Sequence, residues 1–554
     1  MDHEILDGTV PRHPGSGPAG SVGSVAADRA LSRRSFLLGM GGALAASACS
    51  DRTRDAAPRR PVTTSTRPLD PPPAPTGLDA DPFTLGVASG DPLSDGVILW
   101  TRLAPDPLVG GGMPPSDADV LWEVAADEAF EQVVQSGIVT TTATQAHSAH
   151  VDVAGLDADT AFHYRFRVGA FTSAVGRTRT LPPPGSVPDR FAFTASACQD
   201  EQDGVRTPDE HLAAEDAAFN LWLGDYIYET ENVADRFRPN GLPEATDLAG
   251  YRHRYAFYKS DPALQDAHAT MAWVVTWDDH EVANNYAGLV DQLGTDPAAF
   301  ALRRAAAYQA WWEHQPVRMG PPTGPDLDVH RVVDVGDLLR LVVLDTRQHR
   351  DDQACDAHLF LNVACGDEAA GDRTMLGNEQ LEFLGEALGT STARWNAVGQ
   401  GVLMTPLPIA QAGEIRVGLD AWDGYPAERA EVCALLEATS NPVVLSGDFH
   451  SGVVADLPAG GRIGGAAVAT EFAVGSISSA FPRSFVDIVA KGAAELSHIR
   501  HFDNRSRGYL RCEVTPDEWR AEFRIVETTL EPRSPLAPGT AWVVPSGQAT
   551  ASPA

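Results

Sequence analysis

The chain has 554 residues, of which 43% are hydrophobic and 21% are charged, and its formal net charge is −33 at pH 7. It is too long for one ordinary domain, and its composition is that of a globular protein with sizeable cores. The negative charge argues against nucleic acid as a stable partner, because an acidic surface repels the phosphate backbone. An anionic substrate must therefore be held by a local positive centre.

Residues 1–49 have the pattern of an export signal. Arg33 and Arg34 precede a short apolar run in "LSRRSFLLGMGGALAASACS", which predicts a twin-arginine signal recognised by the twin-arginine translocase. The run is too short for a stable membrane span. Ala48-Cys49 resembles a lipobox, so a lipid anchor on Cys49 and a freely secreted product both remain open. We expect an extracellular, cell-wall or outer-face location.

Residues 50–80 are rich in Pro, Thr and Arg and predict an extended tether. Residues 81–185 predict a small β-sandwich of the fibronectin or immunoglobulin kind, because short alternating strands are separated by turns. "LPPPGSVPD" at Leu181–Asp189 then marks a boundary.

Residues 190–530 alternate between apolar strands and helices such as "DPAAFALRRAAAYQAWWEHQP", which predicts an α/β sandwich. In such folds the chemistry lies at the carboxyl ends of the strands. Residues 531–554 are interpreted as a C-terminal tail. Cys355 and Cys365 flank a polar stretch and are expected to form a disulfide in an oxidising compartment.

Polar side chains follow five predicted strands. They are Cys198 in "SACQD"; Asp225 and Tyr228 in "GDYIYE"; Asp278, Asp279, His280, Glu281, Asn284 and Asn285 in "WDDHEVANNY"; Asp345, Arg347 and His349 in "LDTRQHRDD"; and Asp448 and His450 in "GDFH". Burying several acids together is unfavourable unless a cation neutralises them, which predicts a shared metal centre. Phenolate, carboxylate and thiolate favour ferric iron, whereas carboxylate and amide oxygens suit calcium, magnesium or manganese.

Cys198, "GDYIYE", "TWDDHEVANNY" and "GDFH", preceded by the signal and the β-sandwich, resemble the PhoD family of alkaline phosphatases and phosphodiesterases. The resemblance covers about Phe83 to Glu527 and extends more distantly to purple acid phosphatases. It implies a β-sandwich followed by a metallophosphatase αββα domain, with Fe³⁺ and Ca²⁺ as cofactors.

The resemblance also implies roles for individual residues. Cys198, Asp225 and Tyr228 would bind Fe³⁺ together with His450 or Asp448. Asp225 would bridge to Ca²⁺, whose other ligands would include Asp279, Asp448 and one of Asn284 and Asn285, of which Asn285 is our choice. His280 would be a ligand, an acid or a transition-state donor, and Arg252, Arg254 or Arg347 would hold a phosphate oxygen as a bidentate guanidinium.

The expected function is hydrolysis of phosphate mono- and diesters by a metal-bound hydroxide, without a covalent enzyme intermediate. One alternative is a diester-preferring enzyme on the same scaffold, of phospholipase D-like or teichoic-acid phosphodiesterase type. Another is a catalytically dead binding protein of the cell envelope.

Overall fold

The computed structural model describes residues 63–65 and 69–554, apart from residues 232, 234, 235 and 358. The predicted export signal, Cys49 and most of the predicted tether lie outside the described residues. The end of that predicted tether packs on the protein, because Leu78 is buried and the carbonyl of Pro72 accepts a hydrogen bond from Gly169. Among the described helices, none has the length and apolar character needed to cross a membrane.

The N-terminal part of the described chain consists of short strands. They are β1 (Thr63–Ser65), β2 (Val87–Gly90), β3 (Gly96–Arg102), β4 (Ala118–Ala125), β5 (Val133–Thr141), β6 (Ser148–Ala154), β7 (Ala161–Val168), β8 (Phe171–Thr172) and β9 (Gly176–Arg179). The order β1-β5-β4-β7-β8, with β9 also paired to β7, forms one sheet. It packs on β2, β3 and β6 through alternating buried side chains such as Trp122, Phe162 and Phe166. The predicted β-sandwich is confirmed.

The remainder of the chain alternates strands and helices up to Ala494. The strands are β10 (Phe191–Ser196), β11 (Phe219–Leu223), β12 (Ala272–Thr276), β13 (Arg331–Val335), β14 (Leu339–Val343), β15 (Asn362–Val363), β16 (Trp395–Gln400), β17 (Ile409–Gln411), β18 (Glu414–Val417), β19 (Pro442–Ser446), β20 (Gly452–Pro458), β21 (Ala467–Val474), β22 (Ile499–Asp503), β23 (Arg507–Val514), β24 (Glu518–Val526), β25 (Ala541–Pro545) and β26 (Ser552–Pro553). The helices are α1 (Thr207–Leu212), α2 (Leu248–Lys259), α3 (Pro262–Thr270), α4 (Pro297–His314), α5 (Asn378–Gly389), α6 (Pro426–Glu437) and α7 (Val486–Ala494).

Two large sheets form the centre of the fold. One has the order β26-β25-β24-β23-β10-β11-β12-β2-β3-β6, and the other has the order β13-β14-β16-β19-β21-β20-β22. Strands β10, β11 and β12 are parallel to one another, and so are β14, β16, β19 and β21. Apolar side chains of both sheets fill the space between them, among them Leu221, Val274 and Leu341. Helices α2, α3 and α4 cover the outer face of the first sheet and α5 and α6 that of the second, which confirms the predicted αββα sandwich.

Two features of this architecture depart from the sequence analysis. Strand β2 pairs in parallel with β12, so one sheet of the β-sandwich continues into the larger sheet of the α/β region. The segment interpreted as a C-terminal tail contributes β25 and β26 to the same sheet, because Trp542 and Val544 bury one face of β25 in the core.

Candidate metal centre

The predicted ligands converge at the carboxyl ends of the parallel strands. Cys198 follows β10, Asp225 follows β11 and Asp448 and His450 follow β19. All four adopt the left-handed backbone region, with φ of 58°, 56°, 57° and 48°. Non-glycine residues adopt this region at an energetic cost and keep it only where the surroundings hold them there, most often at functional sites. The backbone thus turns each ligand out of its strand at the same edge.

The segments after β11 and β12 are in close contact. Gly224 has φ of 102°, and a Cβ at this position would lie 2.4 Å from the Cβ of Asp278, so only glycine fits. The buried carboxylate of Glu281 joins the two segments: its Oε2 accepts hydrogen bonds from the N–H groups of Asp225 (3.1 Å) and Asp278 (2.9 Å), and its Oε1 accepts one from Tyr226 (2.7 Å). The sequence made Glu281 a candidate ligand, but in the structure its oxygens accept hydrogen bonds from backbone N–H groups.

One group of donors combines sulfur, oxygen and nitrogen. Ligand atoms of Cys198, Asp225 and His450 all lie within 4.8 Å of one another. The Tyr228 hydroxyl donates to Asp225 Oδ2 (2.9 Å) and lies 3.1 Å from His450 Nε2. His450 Nδ1 donates to the carbonyl of Ala480 (3.0 Å). A carbonyl only accepts, so Nδ1 carries the proton and the Nε2 lone pair faces the group.

A second group consists of carboxylates. Ligand atoms of Asp278, Asp279 and Asp448 lie within 4.8 Å of one another, and so do those of Asp225, Asp279 and His280. Asp225 therefore belongs to the first group and also contacts the second, which is the position expected of a bridging ligand.

The two asparagines differ in placement. The Asn284 side chain is exposed and donates to Gln292 Oε1 (2.9 Å). Asn285 is half-buried with φ of 53°, and its N–H donates to Asp279 Oδ2 (2.6 Å). Asn285 is thus the asparagine that lies against the carboxylate group.

Arg347 lies among these carboxylates and is completely buried. Its guanidinium donates two hydrogen bonds to Asp278, one of them at 2.9 Å, and pairs with Asp420 (2.9 Å). It also lies 3.7 Å from Asp279 and 3.8 Å from Asp448. The sequence suggested that this residue holds substrate, but its donors bind protein carboxylates.

Asp345 and His349, the other two candidates in "LDTRQHRDD", belong to neither group of ligand atoms. Asp345 Oδ1 accepts from the N–H groups of Arg347 and Gln348 and so stabilises its own turn. His349 is exposed at the surface.

Two buried carboxylate oxygens that make no hydrogen bond within the described residues are suited to bind cations. Asp225 Oδ1 and Asp279 Oδ1 are buried and have no hydrogen-bond partner within the described chain. Burying a carboxylate oxygen without a partner is costly unless a cation or a proton meets it. The guanidiniums of Arg347 and Arg350 lie within 4 Å of four acids, namely Asp278, Asp279, Asp420 and Asp448, and Asp225 lies beside Asp279 as a fifth. The site thus has room for further positive charge.

Burial and neighbouring charges also shift the pKa values of the groups at this site. Burial raises the pKa of the Cys198 thiol, the Asp225 carboxyl and the Tyr228 phenol, and neighbouring negative charges raise all three further. Burial also raises the pKa of Asp448 to about 7. Burial opposes the ionisation of Asp279 too, but Arg347 and His280 outweigh it and lower the pKa of this carboxyl. Cations would stabilise the ionised forms of the first four groups.

His280 lies against the first group but is held by a different acid. Its Nδ1 lies 2.7 Å from Glu229 Oε2, and the other oxygen of Glu229 accepts from the N–H of Asn284 (2.7 Å). The imidazole packs against the ring of Tyr228, with ring centroids 4.1 Å apart. Glu229, the last residue of "GDYIYE", was not recognised from the sequence as part of the site.

The structure does not bring Arg252 or Arg254 into contact with the carboxylate group. Arg252 pairs with the buried carboxylate of Glu313 and donates to the carbonyl of Thr144. Arg254 donates to the carbonyls of Glu229 and Pro243. Arg252 thus compensates the buried Glu313, whereas Arg254 Nη1 is buried without a hydrogen-bond partner among the described residues. The role of either residue on phosphate stays a prediction.

Cys355 and Cys365 are joined by a disulfide, with their Cα atoms 5.9 Å apart. The loop closed by this disulfide begins beside the candidate site. Gln353, two residues before Cys355, donates from Nε2 to the carbonyl of Asn285 (2.8 Å) and to Asp420 Oδ1 (2.6 Å).

Comparisons with known proteins cover almost all of the described chain. Residues 191–523 match the family model of the PhoD-like phosphatase, and residues 71–182 match that of the PhoD-like phosphatase, N-terminal domain. The chain is 42% identical over 485 residues to alkaline phosphatase D of Bacillus subtilis (strain 168), covering 84% of this chain and 81% of the relative. A solved structure described as the structure of PhoD matches with a TM-score of 0.82 at 40% identity, covering 87% of this chain and 93% of that one.

Proposed function

The chain belongs to the PhoD-like phosphatase family, and from this premise we propose that it hydrolyses phosphate mono- and diesters with iron and calcium as cofactors. The observation that carries the proposal is the pair of buried oxygens on Asp225 and Asp279 that have no hydrogen-bond partner among the described residues, set among a thiol, a phenol, an imidazole and further carboxylates. This donor set matches the two cation chemistries that the sequence predicted.

The iron position is assigned to Cys198, Asp225, Tyr228 and His450. Thiolate, phenolate, imidazole and carboxylate together suit a trivalent iron, and the unprotonated Nε2 of His450 supports its place in this set. Asp448 is assigned to the other position, since it is grouped with Asp278 and Asp279.

The calcium position is assigned to Asp279, Asn285 and Asp448, with Asp225 shared between the two ions. Calcium takes oxygen ligands from carboxylates, amides and carbonyls, and this group offers only oxygen donors. Asp278 is left out because its carboxylate is occupied by Arg347.

When bound, the cations would activate water as the nucleophile and neutralise the charge on the phosphate. The protein's own groups supply the rest. His280, whose Nδ1 lies against Glu229, would give a proton to the leaving oxygen. Arg347 fixes the carboxylates and keeps part of their charge compensated before substrate arrives. With the cations bound, the site would present a local positive field that attracts an anionic ester in spite of the acidic surface.

We further propose that the enzyme is exported by the twin-arginine pathway and works outside the cytoplasm, with Cys49 as a candidate lipid anchor. The arginine pair at Arg33 and Arg34 supports export, and the Cys355–Cys365 disulfide suits an oxidising compartment. Replacing both arginines by lysine should leave the protein in the cytoplasm, which fractionation of the host would detect. Normal export of this variant would contradict the proposal.

The test of the activity compares two substrates on one metal-loaded preparation. We expect turnover of both p-nitrophenyl phosphate and bis-p-nitrophenyl phosphate, and the ratio of the two kcat/KM values gives the preference for mono- or diesters. A preparation with both metals bound and no turnover of either substrate would contradict the proposal and support a binding protein instead.

A further inference from the structure

A short segment after β21 contacts three of the four residues assigned to the iron position. This segment, Ser476–Ala480, is called here the serine clip. The N–H groups of Ser478 and Ser479 point to the carbonyl of Cys198, both at 3.3 Å. The carbonyl of Ala480 accepts from His450 Nδ1 at 3.0 Å. The clip therefore holds the backbone of one ligand and the ring orientation of another.

The third contact is made by a side chain. Ser479 is completely buried, and its hydroxyl donates to the Tyr228 oxygen at 2.7 Å. The same hydroxyl oxygen accepts from the N–H of Asp200 at 2.8 Å. The Asp200 N–H fills one acceptor site of Ser479 Oγ, and the single proton of Tyr228 is directed at Asp225 Oδ2, so the Ser479 proton goes to Tyr228. The Asp200 N–H and the Asp225 carboxylate together set the direction of this hydrogen bond.

The clip itself is fixed in place. Ser476 Oγ donates to the carbonyl of Ser479 (2.7 Å), and Ser478 Oγ donates to the carbonyl of Asp200 (2.9 Å). The N–H of Ala480 donates to Asp203 Oδ2 (2.8 Å). With both ends anchored, Ser479 has little freedom to turn away from the phenol.

We propose that Ser479 is a positioning residue that donates a hydrogen bond to the metal-bound oxygen of Tyr228 and so tunes the iron site. The inference rests on the proposed assignment of iron to this position. The phenol proton now directed at Asp225 leaves when Tyr228 binds a cation, whereas the Ser479 proton stays. A hydrogen bond to a phenolate withdraws electron density from it, which makes it a weaker donor to iron and keeps the iron a stronger Lewis acid.

The test is the visible spectrum of the iron-loaded protein. A hydrogen bond lowers the energy of the filled phenolate orbital, so phenolate-to-iron charge transfer needs more energy when the bond is present. Ser479→Ala should therefore retain the band and shift it to longer wavelength. Ser478→Ala is the matched control, because it removes a buried hydroxyl from the same clip that binds only the carbonyl of Asp200. Its band should not move.

A second measurement does not depend on the variant folding. In the wild-type protein, exchange into D₂O should shift the phenolate C–O stretch in the resonance Raman spectrum, because the donated proton is exchangeable. A Ser479→Ala band at the wild-type wavelength, or no isotope shift, would overturn the inference while the band itself still supported iron on Tyr228. An iron-loaded wild-type protein without any such band would overturn the iron assignment, and the inference with it.

Discussion

Arg347 and Asp278 form a buried, doubly hydrogen-bonded ion pair in the middle of the candidate metal centre. Arg347 also lies within 4 Å of Asp279 and Asp448, so one guanidinium meets acids from the segments after β12 and β19. The sequence predicted that cations must gather these acids. The structure shows that part of that charge is built into the chain, and that Asp225 Oδ1 and Asp279 Oδ1 have no hydrogen-bond partner among the described residues.

Replacing Arg347 tests whether this pair supports the fold of the site. Arg347→Met should lower the free energy of unfolding by about 3–5 kcal/mol, because it leaves the buried Asp278 carboxyl without its charge partner and its hydrogen-bond donors. Arg505→Met is the control: Arg505 pairs with Asp487 at the exposed surface, and its loss should cost about 0–1 kcal/mol. Urea unfolding measures both values. Equal losses of unfolding free energy in the two variants would show that the buried pair stabilises the protein no more than a surface pair does.

Tyr228 is predicted to give the iron-loaded protein its visible charge-transfer band. Tyr228→Phe should abolish the band, whereas Tyr226→Phe should keep it, because the Tyr226 hydroxyl lies 2.7 Å from His268 Nε2, away from the assigned ligands. Absorption spectroscopy of both iron-loaded variants decides the matter. A band that survives in Tyr228→Phe, or disappears in Tyr226→Phe, would move the phenolate ligand to another residue.

Calcium is predicted to be the more easily removed ion. Chelation by EGTA should suppress turnover, and added Ca²⁺ should restore it, since the assigned ligands Asp279, Asn285 and Asp448 offer oxygen only. Asp448→Asn should need a higher Ca²⁺ concentration for half-maximal activity, because it removes one negative charge from this group. Activity titrations with Ca²⁺ and with Mg²⁺ provide the measurement. Full recovery with Mg²⁺ alone would exclude calcium as the required ion.

His280 is predicted to protonate the leaving group. His280→Ala should lower kcat/KM by about 10²–10⁴-fold on an alkyl phosphate, whose leaving oxygen needs a proton. The loss on p-nitrophenyl phosphate should be much smaller, because p-nitrophenolate leaves without one.

Glu229→Gln should also lower kcat/KM more on the alkyl phosphate than on p-nitrophenyl phosphate, but by a smaller factor than His280→Ala. It keeps the shape of the contact with His280 Nδ1 and removes the charge. Glu244→Gln is the control, at a more exposed carboxylate that pairs with Arg303. It should leave the ratio of kcat/KM on the two substrates unchanged. Equal losses of His280→Ala on both substrates would rule out the acid role.

Much of the site could be predicted because of simple geometry. Parallel strands end at a common edge, so polar residues directly after apolar strands had to meet, and Cys198, Asp225, Asp448 and His450 do meet. The two-layer core followed from the same apolar strands, since each was too apolar to face water.

Other features depend on contacts between distant parts of the chain. Nothing in "LDTRQHRDD" shows that Arg347 turns inward onto Asp278, 69 residues earlier, or that Glu281 would hold backbone. The serine clip offers no polar side chains other than serine hydroxyls, and the sequence analysis did not single them out. The pairing of β2 with β12 was also hidden, because a boundary marked by prolines does not reveal which strands pair across it.

The most direct test of the account is the metal content of the purified protein and of Asp225→Asn, measured by elemental analysis on protein produced in its exporting host. Asp225 is assigned to both ions, so wild type should contain iron and calcium, and the variant should lose both metals together with the activity. Asp423→Asn, at a carboxylate that pairs with Arg429 and takes no part in the assigned site, should keep both metals. An Asp225→Asn protein with wild-type iron and calcium, or a metal-free wild type with full activity, would contradict the account.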